Sequence, residues 1–204
     1  MAENFLALSF TPSVRAAQRH AYGRDWPEVA STGADRLGEE EMAFIRLRDS
    51  FYLATVSETG WPYVQHRGGP AGFLHVLDDH TLAFADRRGN RQLLSTGNLA
   101  GNDRVALFLM DYPRRERLKI LGHARTYDVE SAPPALAPLL TSTQGSRPER
   151  IFQIDVAAFD WNCPQYITPR YTAEEVEAAV QPLRDRLAQL EERLRKAESG
   201  NLKR

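Results

Sequence analysis

Between Phe51 and Trp161 the chain is a succession of short apolar, β-branched and aromatic runs, set so close together that hardly any room remains for helices between them. "FYLATVS" and "PYVQHRG" flank the turn "ETGW", and "GFLHVL" and "TLAFAD" flank "DDH". "RVALFLMD" and "RLKILGHARTYDV" flank "YPRRE", and "RIFQIDVAAFDW" closes the series. Parallel strands need crossovers of a dozen or more residues, so this spacing excludes repeated βαβ units. It predicts a mainly β fold with flanking helices, built from antiparallel hairpins curled into a sheet or barrel. The one helical run inside the series is near "RQLLSTGNL", and "SAPPALAPLLTSTQGSRPER" carries too much proline for a long helix.

Helices are expected on both sides of this core. "TPSVRAAQRHAYG" has a cap at Thr11 or Ser13 and a stop at Gly23, and "ADRLGEEEMAFIRLRDS" places acids in its first turn, where the helix dipole favours them. Near the C-terminus Val176, Val180, Leu183, Leu187, Leu190 and Leu194 recur in steps of four and three, with Thr172 and Glu175 forming a capping box. Pro182 is expected to kink this helix, and its apolar stripe to clasp the barrel or a second subunit. The 204 residues therefore divide into an N-terminal extension (1–36), a core (37–160), and a lid segment with the terminal helix (161–204), all within one domain.

Composition narrows the function. A formal net charge of -1, with 26% charged residues, gives no overall pull toward nucleic acid, so any basic site is local. Arg87, Arg88, Arg91, Arg114, Arg115 and Arg117 have few aromatic residues between them, which argues against a nucleic-acid surface. The one cysteine, Cys163, excludes an intrachain disulfide framework and fits a reducing compartment. It reads as a small buried thiol rather than a nucleophile. No apolar run reaches the roughly 20 residues of a membrane span, and the first residues lack a secretory pattern, so a cytoplasmic protein is expected. The five histidines show no metal-ligand spacing, and no Walker, G-x-G-x-x-G or G-x-S-x-G motif is present.

Local cation groups remain. "QHRGGPAGFL" runs Gln65, His66 and Arg67 straight into Gly68, Gly69 and Pro70, as a backbone approaching an anion would. "DRRGNRQLL" places Asn90 as an N-cap, with Arg91 and Gln92 following, where free amides and a guanidinium suit a phosphate; a capped helix with solvated arginines is the plain alternative. Arg117 and Lys119 share one strand face opposite Leu118 and Ile120. "DWNCPQYITPRY" offers Trp161 as a planar surface, with Gln165 and Arg170 as donors, or is only a packing loop.

Taken together, "G-x-P-x-V-x-x-R", "G-N-R-Q" and "R-L-K-x-x-G-x-A" resemble the flavin-nucleotide-binding proteins related to pyridoxamine 5'-phosphate oxidase, over roughly residues 40–128. The resemblance implies a split β-barrel homodimer with FMN at two symmetric interface sites, acting with a small-molecule substrate or an electron donor such as NAD(P)H. By the same resemblance Gln65, His66, Arg67 and Gly68 lie beside the flavin and its phosphate. Asn90, Arg91 and Gln92 match the phosphate clamp, with Gln92 in place of a lysine. Arg117, next to Lys119, falls where a glutamine reaches the ring edge, and Trp161, Gln165 and Arg170 come from the other subunit. The R-x-H signature that holds pyridoxal phosphate is absent from "CPQYITPRY", which argues against pyridoxamine-phosphate oxidation itself. What remains is a flavin-dependent oxidoreductase of another substrate, or a flavin-binding module for storage, sensing or electron transfer.

Overall fold

The computed structural model describes residues 3–31, 33–140, 147–161 and 164–201, so Cys163 lies outside the described residues. Seven strands form one antiparallel sheet: β1 (Ser50–Val56), β2 (Pro62–Gly68), β3 (His75–Val76), β4 (Thr81–Arg87), β5 (Arg104–Asp111), β6 (Glu116–Asp128) and β7 (Pro148–Trp161), in the order β2-β1-β5-β6-β7-β4-β3. Each hairpin expected from the turn residues is present, with Ser50 opposite Gly68 and Arg104 opposite His123.

The long strands β6 and β7 curl the sheet on itself. Their register shifts between Leu121 and Gly122. A Cβ at Gly122 would meet the Asp155 carbonyl oxygen at 2.7 Å, so this crossing requires glycine. The curl brings β1 against β4, where Phe51 meets Phe84 edge-on at 5.4 Å between ring centroids. Phe84 stacks on Phe152 at 4.8 Å, and Leu53, Leu107, Leu118, Ile120 and Ile154, each at most 1% exposed, belong to the same core. The result is the split barrel, a sheet whose two ends face each other across an apolar core.

The flanking helices are α1 (Glu3–Ser9), α2 (Pro12–Tyr22), α3 (Glu39–Arg46), α4 (Leu94–Gly101), the short α5 (Ala137–Leu140) and α6 (Ala173–Asn201). Thr11 caps α2, and Gly23 ends it in the left-handed conformation at φ 71°. α1 carries no clear sequence signal; it is pinned to β7 by Asn4, whose amide donates to the Ala157 carbonyl at 2.7 Å. The capping box at α6 forms, with the Glu175 amide donating to Thr172 Oγ1 and the Thr172 amide to Glu175 Oε2.

α6 is continuous through Pro182. Of the two partners expected for its apolar stripe, its own barrel is not one: from Ala173 to Ala197 every residue is exposed except half-buried Val180, and Leu183 is 69% exposed.

Candidate functional site

The two ends of the sheet meet around one carboxylate. Arg67, at the end of β2, donates to Asp86 Oδ1 at 2.6 Å, and Arg150, on β7, donates to Asp86 Oδ2 at 2.8 Å. The three side chains are 11–14% exposed. Arg67 faces inward because its strand alternates and its partner across the ladder, Phe51, belongs to the core. Its guanidinium lies over the rings of Phe152 (5.1 Å) and Phe84 (5.4 Å), where cation–π attraction offsets part of the desolvation. Its Nε is buried without a hydrogen-bond partner.

Above this triad is a cavity of about 220 Å³, walled by β2, the loop after β4 and the first turn of α4. The β4–β7 ladder slips between Asp86 and Arg87, and this bulge turns the chain into the loop. There Arg91 (φ 60°) and Leu93 (φ 56°) are both left-handed, a conformation costing a non-glycine residue roughly 1–2 kcal/mol. Two such residues in one loop are backbone strain stored beside a cavity, a common mark of a functional site.

Asn90 does not cap the helix. Its Oδ1 accepts from the Gln92 amide at 3.1 Å in a local turn, its amide reaches Gln92 Oε1 at 3.2 Å, and α4 begins only at Leu94, after Leu93. α4 is held to the sheet instead by Ser95 Oγ donating to Gln65 Oε1 (3.0 Å) and Asn98 donating to Thr55 Oγ1 (2.9 Å). Arg91 projects over the cavity with its guanidinium 3.5 Å from Glu149. Arg67, Arg87, Arg91 and Arg150 against Asp86 and Glu149 make four cations to two carboxylates, an excess of two positive charges in the lining.

The structure thus brings together Gln65, Arg67, Asn90, Arg91 and Gln92. It does not bring the others to this cavity within one chain. His66 points to the outer face of the sheet, edge-on to Tyr52. Gly68 and Gly69 abut protein: a Cβ on Gly69 would come within 2.7 Å of the Phe73 ring and one on Gly68 within 3.2 Å of His66, so these glycines admit side chains of their own chain. Arg117 lies over Phe108, and Lys119 pairs with Asp160 at 2.7 Å and sits 4.7 Å from the Phe5 ring. Lys119 also edges an apolar groove of about 570 Å³ on the outer face, with Tyr52, Val64 and Phe108. Trp161 is held by its own chain, its indole N–H donating to Glu41 Oε1 at 2.6 Å and its ring meeting Phe44 edge-on. Gln165 is exposed, and Arg170 lies over Tyr112.

Sequence reasoning missed Arg150, the third arm of the triad, and read Asp86 only as a strand end. A signal was present: Asp86 is a carboxylate directly after the apolar run Leu82–Ala85. Asp78, Asp79 and His80 also gather their ligand atoms within 4.8 Å in an exposed turn, but Arg36 reaches Asp79 at 2.8 Å and His80 at 2.6 Å.

Comparison with known proteins settles the lineage. The family model for pyridoxamine 5'-phosphate oxidase matches residues 37–160, more than half of the chain. The chain belongs to that family. Among solved structures it is similar to HupZ of Group A Streptococcus, with 16% identity over 66% of this chain and 99% of that one and a TM-score of 0.51. It is similar also to an FMN-binding protein of Syntrophomonas wolfei, with 11% identity over 61% and 87% of the two chains and a TM-score of 0.45. No curated protein matches. In this member of the family no helix among the described residues is long and apolar enough to cross a membrane.

Proposed function

We propose that this chain binds FMN with the phosphate in the arginine cradle, as a homodimer, and acts as an oxidoreductase on a small molecule. The observation that carries the reading is the cradle itself. Arg67 and Arg150 are buried and fixed by Asp86, Arg67 keeps one buried N–H unpaired, and the lining holds two positive charges in excess. A dianionic phosphate ester is the charge complement of that basic lining. The cavity volume of about 220 Å³ suits a phosphate and the polyol next to it, leaving a flat ring to extend beyond the cradle.

Within that reading each residue has a task. Arg67 and Arg150 bind the phosphate as preorganised forks, Arg91 closes over it, and Gln65, fixed by Ser95, borders the polyol. Arg117, Lys119 and His66 lie on the opposite sheet face, so they reach the same cofactor only if a second copy presents them. The exposed apolar groove beside Lys119 is the surface on which such a copy would seat. When bound, the flavin supplies the redox chemistry; the protein binds it, orients it and limits solvent access. A cytoplasmic setting accords with the single cysteine.

Absorbance of the purified protein near the flavin bands, followed by titration with FMN, FAD, riboflavin and a deazaflavin, tests the cofactor. Bleaching by NADH or NADPH then separates an oxidoreductase from a flavin-binding module without turnover. Failure to bind any of these flavins overturns the proposal.

A further inference from the structure

We propose that α6 forms a parallel two-stranded coiled coil with α6 of a second copy of this chain, in the register that sets Arg186 against Glu191. The family match ends at residue 160, so this contact lies outside the body shared with the family and stands whether or not flavin binds.

The helix is 29 residues long, carries an apolar stripe, and leaves that stripe in solvent except at half-buried Val180. Val180, Leu187 and Leu194 fall at a positions, and Val176, Leu183 and Leu190 at d positions, of three heptads. Pro182 falls at c, on the outer side, where a missing backbone N–H and a bulky ring do not enter the seam.

Charge decides the occupant and its direction. The g positions bordering the seam are Arg186 and Arg193, and the e positions are Glu177, Arg184 and Glu191. In a parallel pair each g residue faces the e residue five places on in the partner. Arg186 then meets Glu191, and two-fold symmetry repeats the contact. In an antiparallel pair g faces g, which sets arginine against arginine. Glu177 and Arg184 already pair with each other along the helix. Among the described residues Glu191 and Arg193 have no hydrogen bond or ion pair in their own chain, and Arg186 reaches only Gln189. Arg186 and Glu191, the pair that the parallel arrangement needs, are thus left without ionic partners among the described residues.

The test uses the full chain with Cys163→Ser, carrying Val180→Cys, Leu187→Cys or Leu194→Cys singly, under mild oxidation. Each is expected to give a disulfide-linked dimer, because a positions face their own copies all along a parallel seam. Ala188→Cys, at the outward b position, is expected to stay uncrosslinked. A parallel seam is overturned if only positions near one point crosslink, as in an antiparallel pair, or if none does, as when α6 seats on a barrel. Adding Arg186→Glu to the Leu187→Cys chain is expected to lower the yield, and adding Glu191→Arg as well to restore it. A double variant that stays as weak as the single one overturns the register. Variant chains that crosslink as expected yet bind no flavin would sink the cofactor reading and leave this one standing.

Discussion

Arg67 and Asp86 join the two ends of the sheet, 2.6 Å apart and both close to fully buried. Their strands, β2 and β4, are not hydrogen-bonded neighbours, so this contact and its extension to Arg150 close the split of the barrel with charge rather than with backbone pairing. Removing the shared carboxylate would leave two guanidiniums facing each other in a dry site. Asp86→Ala is therefore expected to destabilise the protein by about 3–5 kcal/mol. Urea denaturation measures it. A loss under about 1 kcal/mol, as for an exposed pair, would show that the triad is solvated in solution.

The phosphate assignment separates two ligands that differ only in that group. Arg91→Ala removes a charge-assisted contact worth about 1.5–3 kcal/mol, so FMN affinity is expected to fall by roughly tenfold to a hundredfold while riboflavin affinity stays level. Because the Arg91 side chain is 61% exposed, the lower end of that range is expected. Calorimetric titration of both ligands decides it, and an equal loss for the two would place the phosphate elsewhere.

The assembly prediction rests on geometry that one chain leaves incomplete. Lys119 and Arg117 lie on the far face of the sheet from Arg67, and Lys119 borders the outer groove with Tyr52, Val64 and Phe108. Val64→Asp, at a position 59% exposed in the single chain, is combined with Arg186→Glu, which weakens the α6 seam; it is expected to leave the fold intact and to shift sedimentation further toward monomer than Arg186→Glu alone. A double variant that sediments as Arg186→Glu alone does would remove the groove from the interface.

How much of this was legible in the sequence follows from the range of each signal. The strands were readable because alternation and turn chemistry are local: "SFYLATV" places Phe51, Leu53 and Thr55 inward without reference to anything distant. The α6 capping box was readable for the same reason. Asn90 shows the limit of a local rule. An asparagine ahead of an apolar run satisfies both an N-cap and a tight turn, and the bulge at Asp86, set by pairing with β7, selects the turn. Arg150 was not legible, since it stands 64 residues from Asp86 and only the β4–β7 register brings them together. Trp161 was read as a stacking surface, whereas its fixed contacts come from an acid 120 residues earlier.

Acid lability is expected around Asp111. Burial alone would raise its carboxyl, but the Arg114 amide, at 3.0 Å, and the Arg48 guanidinium, at 2.8 Å, outweigh that and hold it below the ordinary carboxylate value of 3.8. A carboxylate with a lowered folded-state pKa favours the native state above its unfolded value and loses that contribution as pH falls through the folded one. Stability is therefore expected to decline below about pH 4 more steeply in the parent than in Asp111→Asn, which is less stable at neutral pH. Thermal melts from pH 7 to pH 2.5 compare them; parallel curves would mean that Asp111 titrates normally.

Trp161 ties the end of the barrel to α3, and this gives a prediction that needs no cofactor. Its indole donates to Glu41 Oε1, while Glu41 Oε2 accepts from the Gly38 amide at the start of α3. Glu41 is 8% exposed, so one short side chain satisfies two donors at the helix entry while its carboxylate stays out of water. Trp161→Phe keeps the edge-on packing against Phe44 but leaves one carboxylate oxygen without its donor, at an expected cost of about 1.5–3 kcal/mol for a bond to a charged group. Adding Glu41→Gln replaces the stranded charge with a neutral amide, so the double variant is expected to lose less than the sum of the two single losses. Chemical denaturation of the four proteins in the cycle measures the coupling. Strict additivity would mean that the indole and the carboxylate do not meet in solution, and would free Trp161, at the end of β7, to serve as a stacking surface.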